Sequence, residues 1–157
     1  MKYLYQRSYI IIIILLMAAG TAHARLGLGV MLGEPTGISI KNWHTKQKAV
    51  DAAVAWSLGK HGRFHIHADY LHHNYNLLSE FSARRRLPAY IGLGARMAIN
   101  EDDNDNILIG MRVPVGCSYL FMNYPFDVFF ELAPTFDVIP ETSFELNGAV
   151  GVRIYFN

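Results

Sequence analysis

From residue 25 onwards, apolar and polar side chains alternate with a period of two, as in β-strands that have one apolar face. Eight segments have this pattern, and most are separated by short stretches of turn-forming residues. The segments are 26–32, 38–41, 49–58, 64–70, 89–97, 107–119, 126–135 and 144–156. The pattern predicts an all-β fold, an eight-stranded antiparallel up-and-down barrel whose closure removes the exposed sheet edges.

Two prolines lie inside strand patterns, Pro114 in the sixth segment and Pro134 in the seventh. Proline has no N–H to donate to a neighbouring strand. We therefore expect a bulge or a strand end at each of these two positions.

The longest connection, residues 72–86, follows the fourth segment. In a membrane barrel with both termini in the periplasm, this connection should be a short periplasmic turn. Either the strand count is wrong by one, or the loop is an unusual one. In the second case, we expect Leu77, Leu78 and Phe81 to pack a helical turn against the mouth of the barrel.

The two faces of the strands differ in charge, and this difference decides the class of barrel. The apolar face has no charged residue, whereas the other face mixes Gly, Ala and Ser with acids and bases. The charged positions are Lys41, Asp51, Asp69, Arg96, Arg112, Asp127, Glu131, Glu145 and Arg153. A transmembrane barrel turns its apolar face to lipid, and small residues suit the narrow interior of eight strands. The pattern therefore favours a transmembrane barrel with paired charges in its lumen.

The alternative is a soluble periplasmic barrel of the lipocalin type. Such a barrel would turn the apolar face inward around a small apolar ligand. Its outer surface would then be the face rich in Gly and Ala, which is unusually poor in charge for a solvated surface.

The first 24 residues have the organisation of a secretory signal peptide. Lys2 and Arg7 precede an apolar core at residues 9–17, and residues 22–24 (Ala-His-Ala) fit the cleavage pattern. The apolar core is too short to span a bilayer as a helix, which takes about 20 residues. We therefore predict cleavage before Arg25, with residues 25–157 forming a single barrel domain in the outer membrane.

Charge and cysteine content exclude several classes of function. The chain has 14 Lys and Arg against 13 Asp and Glu, and removing residues 1–24 leaves 12 bases and 13 acids. A nearly neutral chain lacks the clustered positive charge that nucleic-acid binding requires. One cysteine excludes an intrachain disulfide framework and a four-cysteine zinc site.

The last strand pattern resembles the C-terminal insertion signal of outer-membrane barrels. Val150, Val152, Ile154 and Phe156 alternate up to a terminal aromatic, although Asn157 follows it. Residues 27–37, 90–96 and 127–156 also resemble an uncharacterised family of short secreted bacterial barrels. The resemblance implies a small eight-stranded outer-membrane barrel and brings no activity with it. The expected partners are outer-membrane lipids, lipopolysaccharide and, during insertion, the barrel-assembly machinery.

Two sets of residues suggest chemistry beyond a structural role. His65, His67 and Asp69 share one strand face and are weak candidates for a metal site. A luminal hydrogen-bonded network explains them better, so we expect no metal and no cofactor.

The second set contains Ser57, His72, Ser118 and Glu131, residue types found in lipid A-modifying hydrolases or acyltransferases. Their spacing does not assemble a triad, and both serines project towards the lumen. We therefore expect an outer-membrane barrel with a structural, envelope-integrity role, a closed lumen and no catalysis. The alternatives are the soluble ligand-binding barrel and a lipid-modifying enzyme.

Overall fold

The computed structural model describes residues 25–57, 63–81, 86–100, 107–121 and 123–156. The predicted signal peptide, residues 1–24, lies outside these ranges. The described residues form nine strands. They are β1 (Arg25–Glu34), β2 (Thr36–Trp43), β3 (Lys48–Ser57), β4 (Arg63–Asn74), β5 (Ala89–Asn100), β6 (Ile107–Arg112), β7 (Val115–Leu120), β8 (Phe126–Ile139) and β9 (Ser143–Phe156). No helix in the described residues is long and apolar enough to cross a membrane.

The strands form one closed antiparallel ring. Except for β6 and β7, which do not pair with each other, each strand pairs with its neighbours in sequence. β9 returns to pair with β1, from Leu26 opposite Phe156 to Glu34 opposite Gly148. β6 and β7 share one place in the ring, because both lie between β5 and β8. The prediction of an eight-stranded up-and-down barrel is therefore confirmed. We call the end where β1 begins and β9 ends the terminal end, and the other the hairpin end.

The two prolines explain why one strand is broken and its neighbour is not. β6 ends before Val113 and Pro114, as expected, and β7 begins after them. β8 instead runs through Pro134 and keeps a regular register with β9 there, so the expectation of a bulge or a strand end at Pro134 was wrong. Pro134 lies where β8 passes from pairing with β7 to pairing with β6. Its carbonyl accepts a hydrogen bond from the Val113 N–H (2.9 Å), and the missing N–H faces a gap in the ladder.

Apolar side chains point out of the ring, and small or charged side chains point in. On β9, the residues Phe144, Leu146, Val150, Val152, Ile154 and Phe156 are exposed outwards. Between them, Asn147, Ala149, Gly151, Arg153 and Tyr155 are buried. The soluble alternative requires the opposite arrangement, with the apolar face around an internal ligand. This structure therefore contradicts the geometry on which that alternative depends.

Glycine leaves room for aromatic rings in the narrow interior. Tyr155 lies opposite Gly27 in the neighbouring strand, and a Cβ at Gly27 would lie 2.5 Å from the Tyr155 Cε1 atom. Phe129 lies opposite Gly151 in the same way. The small residues of the inner face are therefore a condition for packing large side chains inside eight strands.

The connection after β4 lies at the terminal end, as the count of eight strands requires. The Asn74 side-chain oxygen accepts hydrogen bonds from the backbone N–H groups of Asn76 (2.9 Å) and Leu77 (3.3 Å), forming a turn. Leu77 and Phe81 are 69% and 79% exposed. The expectation that Leu77 and Phe81 pack against the barrel mouth was therefore wrong, whereas Leu78 is half-buried. Tyr75, which is half-buried, lines the mouth instead.

Candidate functional site: a luminal charge network

The nine charged residues singled out in the sequence all project into the ring. Eight of them are buried: Lys41, Asp51, Asp69, Arg96, Arg112, Asp127, Glu131 and Arg153. Glu145, near the hairpin end, is half-buried. Alternation along each strand places them there, because their outward neighbours are apolar. They do not form one chain of contacts but separate into groups, each built around a cation.

Arg96 is the centre of the group nearest the hairpin end. Its guanidinium donates to both oxygens of Asp137, with Nε 2.8 Å from Oδ1, and its Nη2 lies 2.9 Å from Glu145 Oε2. Arg63 donates to the other Glu145 oxygen at 2.6 Å. Ser143 donates to Asp137 Oδ2 at 3.1 Å. Two arginines and two carboxylates thus neutralise each other where the barrel opens.

Arg112 is the centre of the second group. Its Nε lies 3.0 Å from Asp69 Oδ2, and its Nη2 lies 2.5 Å from Glu131 Oε1. Tyr90 donates its hydroxyl to the other Glu131 oxygen at 3.0 Å. One buried cation therefore lies between carboxylates from β4 and β8. Removing it would leave two acids facing each other without compensation.

Arg153 is the centre of the third group. It pairs with Asp51, its Nε donates to the Ser39 hydroxyl at 2.9 Å, and its Nη1 lies 3.9 Å from Asp127 Oδ2. Its guanidinium carbon stacks 3.7 Å above the centre of the Phe129 ring. The aromatic face and the carboxylates together replace the water that a buried guanidinium loses.

Lys41 has no carboxylate among its close contacts in the described part of the chain. Its Nζ lies 2.8 Å from His73 Nε2. The rings of Trp43 and Tyr90 lie 4.6 and 5.1 Å from the same nitrogen. The side chain is therefore held by one imidazole and two aromatic faces, near the terminal end of the lumen.

Sequence reasoning missed several members of this network. Asp137 lies beyond the point where we expected the seventh strand to end, and Arg63 and His73 lie outside the predicted fourth strand. Tyr90 and Tyr155 also belong to the inner face by alternation, and Tyr155 donates to Asp127 Oδ2 at 2.6 Å. Continuing the alternation beyond each predicted strand end is the signal that would have found the first three.

The metal candidates lie close together, but they are not arranged as a metal site. The His65 and His67 ring centres are 5.2 Å apart, and His67 Nε2 lies 3.8 Å from Asp69 Oδ2. That same oxygen pairs with Arg112. Among the described residues, no group of three or more His, Cys, Asp or Glu side chains is placed to hold a metal ion.

The four residues considered for catalysis do not come together. Ser57 lies opposite Arg63 at the hairpin end of β3, whereas His72 lies opposite Lys48 at the terminal end. Positions 63 and 72 are nine residue steps apart, or about 30 Å of strand. His72 is exposed outside the ring, while Ser118 and Glu131 are buried inside it. This set therefore forms no nucleophile–base–acid arrangement.

Residues of the predicted insertion signal lie on the outer surface. Val150, Val152, Ile154 and Phe156 are 49%, 43%, 53% and 54% exposed on β9. β9 pairs with β1 and closes the ring. Recognition of this strand by an assembly machinery stays a prediction.

No protein-family model and no curated protein matches this chain. Similar folds occur among solved structures. The N-terminal β-barrel domain of Pseudomonas aeruginosa OprF has a TM-score of 0.65 at 13% identity, with 85% of this chain and 96% of that chain covered. This chain has the fold of a small outer-membrane β-barrel. The likeness establishes the fold and no activity, because the identity is so low.

Two further solved structures are more distantly similar. Neisserial surface protein A has a TM-score of 0.48 at 17% identity, with 85% of this chain and 94% of that chain covered. The outer membrane enzyme PagL has a TM-score of 0.45 at 11% identity, with 83% of this chain and 99% of that chain covered. Both likenesses are too distant to bear on the function of this chain.

Proposed function

We propose that the chain is an outer-membrane protein with a structural, envelope-integrity role, whose barrel is held closed by its luminal charges and catalyses no reaction. The observation that carries this proposal is the apolar surface on the outside of the ring. Every strand contributes to it an apolar residue that is 38% to 63% exposed. One example from each strand is Leu28, Ile40, Val54, Ile66, Leu93, Met111, Val115, Phe130 and Val152. Water-soluble monomers rarely expose a continuous apolar surface of this kind.

Aromatic pairs at both ends support the membrane reading. At the hairpin end, Phe136 and Phe144 are exposed, and their ring centres are 5.0 Å apart. At the terminal end, Phe121 stacks on Phe126 with ring centres 4.2 Å apart, beside Tyr124, which is 63% exposed. Aromatic girdles of this kind flank the apolar band of membrane barrels at the two interfaces.

The filled interior supports the absence of transport. Arg112, Arg153, Lys41, Leu71 and His73 are among the largest fully buried side chains. An eight-stranded barrel is just wide enough for its interior to be filled by side chains. Closing the lumen with paired charges also keeps those charges away from lipid, where they are costly.

The proposed partners follow from the same surface. The apolar band contacts membrane lipids, the hairpin end contacts lipopolysaccharide, and β9 contacts the barrel-assembly machinery during insertion. These contacts require export through the predicted cleaved signal peptide.

Fractionation combined with heat-modifiability tests the proposal. The full-length chain is expressed, inner and outer membranes are separated, and unheated and boiled samples are compared on a gel. We expect outer-membrane residence and a change of mobility on boiling. A soluble periplasmic protein with no mobility change would refute the membrane assignment.

Two further measurements test the role. In planar bilayers, we expect the purified protein to produce no steady conductance, and a stable open channel would contradict the closed lumen. In a strain lacking the gene, we expect increased uptake of an apolar dye, restored by the wild-type gene. Undiminished restoration by a His72→Ala, Glu131→Gln double variant would argue against the enzyme alternative, provided that the variant still folds in the mobility assay.

A further inference from the structure

A cleft of about 360 Å³ opens at the terminal end of the barrel. Its lining comes from the start of β1, the turn between β2 and β3, the connection after β4 and the ends of β2, β7 and β9. A volume of this size suits a small-molecule site. The cleft is separate from the three arginine groups except at Tyr155, and the proposed function above does not use it.

The polar side chains that line the cleft are hydrogen-bond donors. Besides Trp43 and Tyr155, whose hydroxyl donates to Asp127, they are Arg25, His44, Thr45, Lys46 and Tyr75. No carboxylate is among the described residues of the lining. Arg25 and Lys46 are exposed, and neither forms an ion pair within the part of the chain that the structure describes. Donors without an acidic partner favour a ligand that is anionic and rich in acceptors.

The turn that carries two of these donors is held by hydrogen bonds. The Thr45 side-chain oxygen accepts from the backbone N–H groups of Gln47 (3.2 Å) and Lys48 (3.0 Å). Its hydroxyl hydrogen therefore stays available for a ligand. The His44 N–H donates to the Lys48 carbonyl at 3.0 Å, which closes the turn with Lys46 at its tip.

The apolar side of the cleft consists of buried aromatic rings. Trp43 and Tyr155 are 9% and 4% exposed. The Tyr155 ring is fixed by its hydrogen bond to Asp127, and the Arg25 guanidinium carbon lies 5.1 Å from its centre. Trp43 packs against His73 with ring centres 4.3 Å apart. The hydrogen-bond donors of the cleft therefore lie next to a fixed apolar wall formed by Trp43 and Tyr155.

Tyr75 completes the donor set from the connection after β4. Burial raises the pKa of its hydroxyl above the usual value of 10.0, and Arg25 opposes that rise. Tyr75 is therefore a neutral donor at neutral pH.

We propose that this cleft binds a phosphate group carried on a compact apolar or sugar-like body, with Arg25 and Lys46 as the charged contacts. A phosphate ester presents three or more oxygens to the donors of the lining, whereas a carboxylate presents two. Two sources supply this chemistry: the headgroup of an anionic phospholipid in the adjoining leaflet, and a soluble phosphate ester.

The two tryptophans of the chain provide a direct test. Trp43 lines the cleft, whereas Trp56 is 46% exposed on the outer surface at the hairpin end. In the Trp56→Phe protein, Trp43 is the only tryptophan, and we expect glycerol 1-phosphate to change its emission saturably. In the Trp43→Phe protein, which keeps Trp56, the same titration is expected to give no saturable change. The full-length chain is purified in octyl glucoside without phosphate, and folding is checked by gel mobility.

Lys46 and Lys48 form a matched pair for the charge contact. Both are exposed, Lys46 in the turn between β2 and β3 and Lys48 at the start of β3, and only Lys46 lines the cleft. We expect Lys46→Gln to weaken glycerol 1-phosphate binding about tenfold, as for the loss of one charge-assisted hydrogen bond. Lys48→Gln should weaken it less than about twofold, since a screened charge outside the cleft contributes little. Equal losses in the two variants would overturn the proposal.

Vesicles then distinguish the two sources. If the site takes a lipid headgroup, transfer from phosphatidylcholine to phosphatidylglycerol vesicles will change Trp43 emission and abolish the response to glycerol 1-phosphate. If it takes a soluble ester, the response will be the same in both vesicles. Either result supports phosphate binding. The absence of any saturable response, or equal affinity for succinate, would overturn it.

Discussion

An arginine introduced on the outer surface should cost stability according to its depth in the membrane. Val150 and Val138 are matched positions, because both are outward-facing valines, 49% and 53% exposed. Val150 lies opposite Phe130, midway along the exposed apolar row of β9, whereas Val138 lies next to the hairpin between β8 and β9. The two sites therefore differ in depth and hardly in local chemistry.

The distance between the two sites determines how much the two substitutions should differ in their cost to stability. From Phe130 to Val138 is 138 − 130 = 8 residues along β8, or about 26 Å of strand. At a strand tilt of about 40°, this is about 20 Å along the barrel axis, against an apolar band about 25 Å tall. If Val150 lies near the midplane, Val138 lies outside the hydrocarbon. We expect Val150→Arg to cost about 2–4 kcal/mol and Val138→Arg about 0–1 kcal/mol.

Reversible unfolding by denaturant in phosphatidylcholine vesicles measures these costs, with circular dichroism and gel mobility as independent probes of one transition. A soluble barrel would tolerate an exposed arginine at either site within about 0.5 kcal/mol. Equal costs at the two positions would therefore refute the membrane geometry, even if both variants were destabilised.

Three further variants test the interior by the same unfolding assay. Arg112→Ala should cost about 3–5 kcal/mol because it leaves Asp69 and Glu131 without a positive partner, and replacing these two acids with Asn and Gln should recover part of the loss. The control is Met111→Ala on the outer face, and an unchanged stability of Arg112→Ala would contradict the pairing. Tyr155→Phe should cost about 1.5–3 kcal/mol through its lost bond to Asp127, whereas no effect would mean that the bond contributes nothing. Gly94→Ala should cost about 1–3 kcal/mol because the new Cβ meets the Asp69 side chain, and a neutral result would disprove that close approach; outward Ala95→Val is the control.

The alternation of residue types was sufficient to predict the ring and the face that each strand turns inward. On β9, for example, Val152 and Arg153 alternate in the sequence and are exposed and buried in the structure. The prediction succeeds because side chains alternate between the two faces of a strand. Once one polar residue is known to point inward, the direction of every other side chain in that strand follows. The face assignment needed no knowledge of which residues pair across the lumen.

Strand ends were predicted less well, and the errors have physical causes. Because the predicted seventh strand ended near Pro134, Asp137 was left out of the predicted inner face. Thr135 points inward, and alternation would have placed Asp137 on the same face. The prediction assumed that Pro134 would lose a backbone hydrogen bond to its neighbouring strand. Pro134 instead lies beside Val113, in the gap between β6 and β7, so no such bond is lost. At the end of β4, residue polarity gives the wrong face. The apolar Leu71 is buried inside the ring, and the polar His72 is exposed outside it.

Ion-pair partners could not be read from the sequence, because they depend on distances across the lumen. Arg112 pairs with Glu131, whereas Arg153 pairs with Asp51 and donates to Ser39. The register between neighbouring strands determines which inward side chains face each other across the lumen. Hydrophobic periodicity does not reveal the stagger of the strands around the barrel, which is called its shear.

The pairing pattern has a consequence for how the barrel holds its shape. Arg96 joins β5 to β8 and β9, Arg112 joins β6 to β4 and β8, and Arg153 joins β9 to β2, β3 and β8. Five of these seven contacts connect strands that are not neighbours in the ring, so they act across the lumen where no backbone ladder does. The other two, Arg112 with Glu131 and Arg153 with Asp127, join neighbouring strands. The buried apolar clusters are small, one of them being Met31, Ala53, Phe129 and Ala149. With so little apolar core, the inward arginines fix the cross-section of the barrel. Lys41 differs from them, because imidazole and aromatic faces hold it, and its replacement should leave that cross-section unchanged.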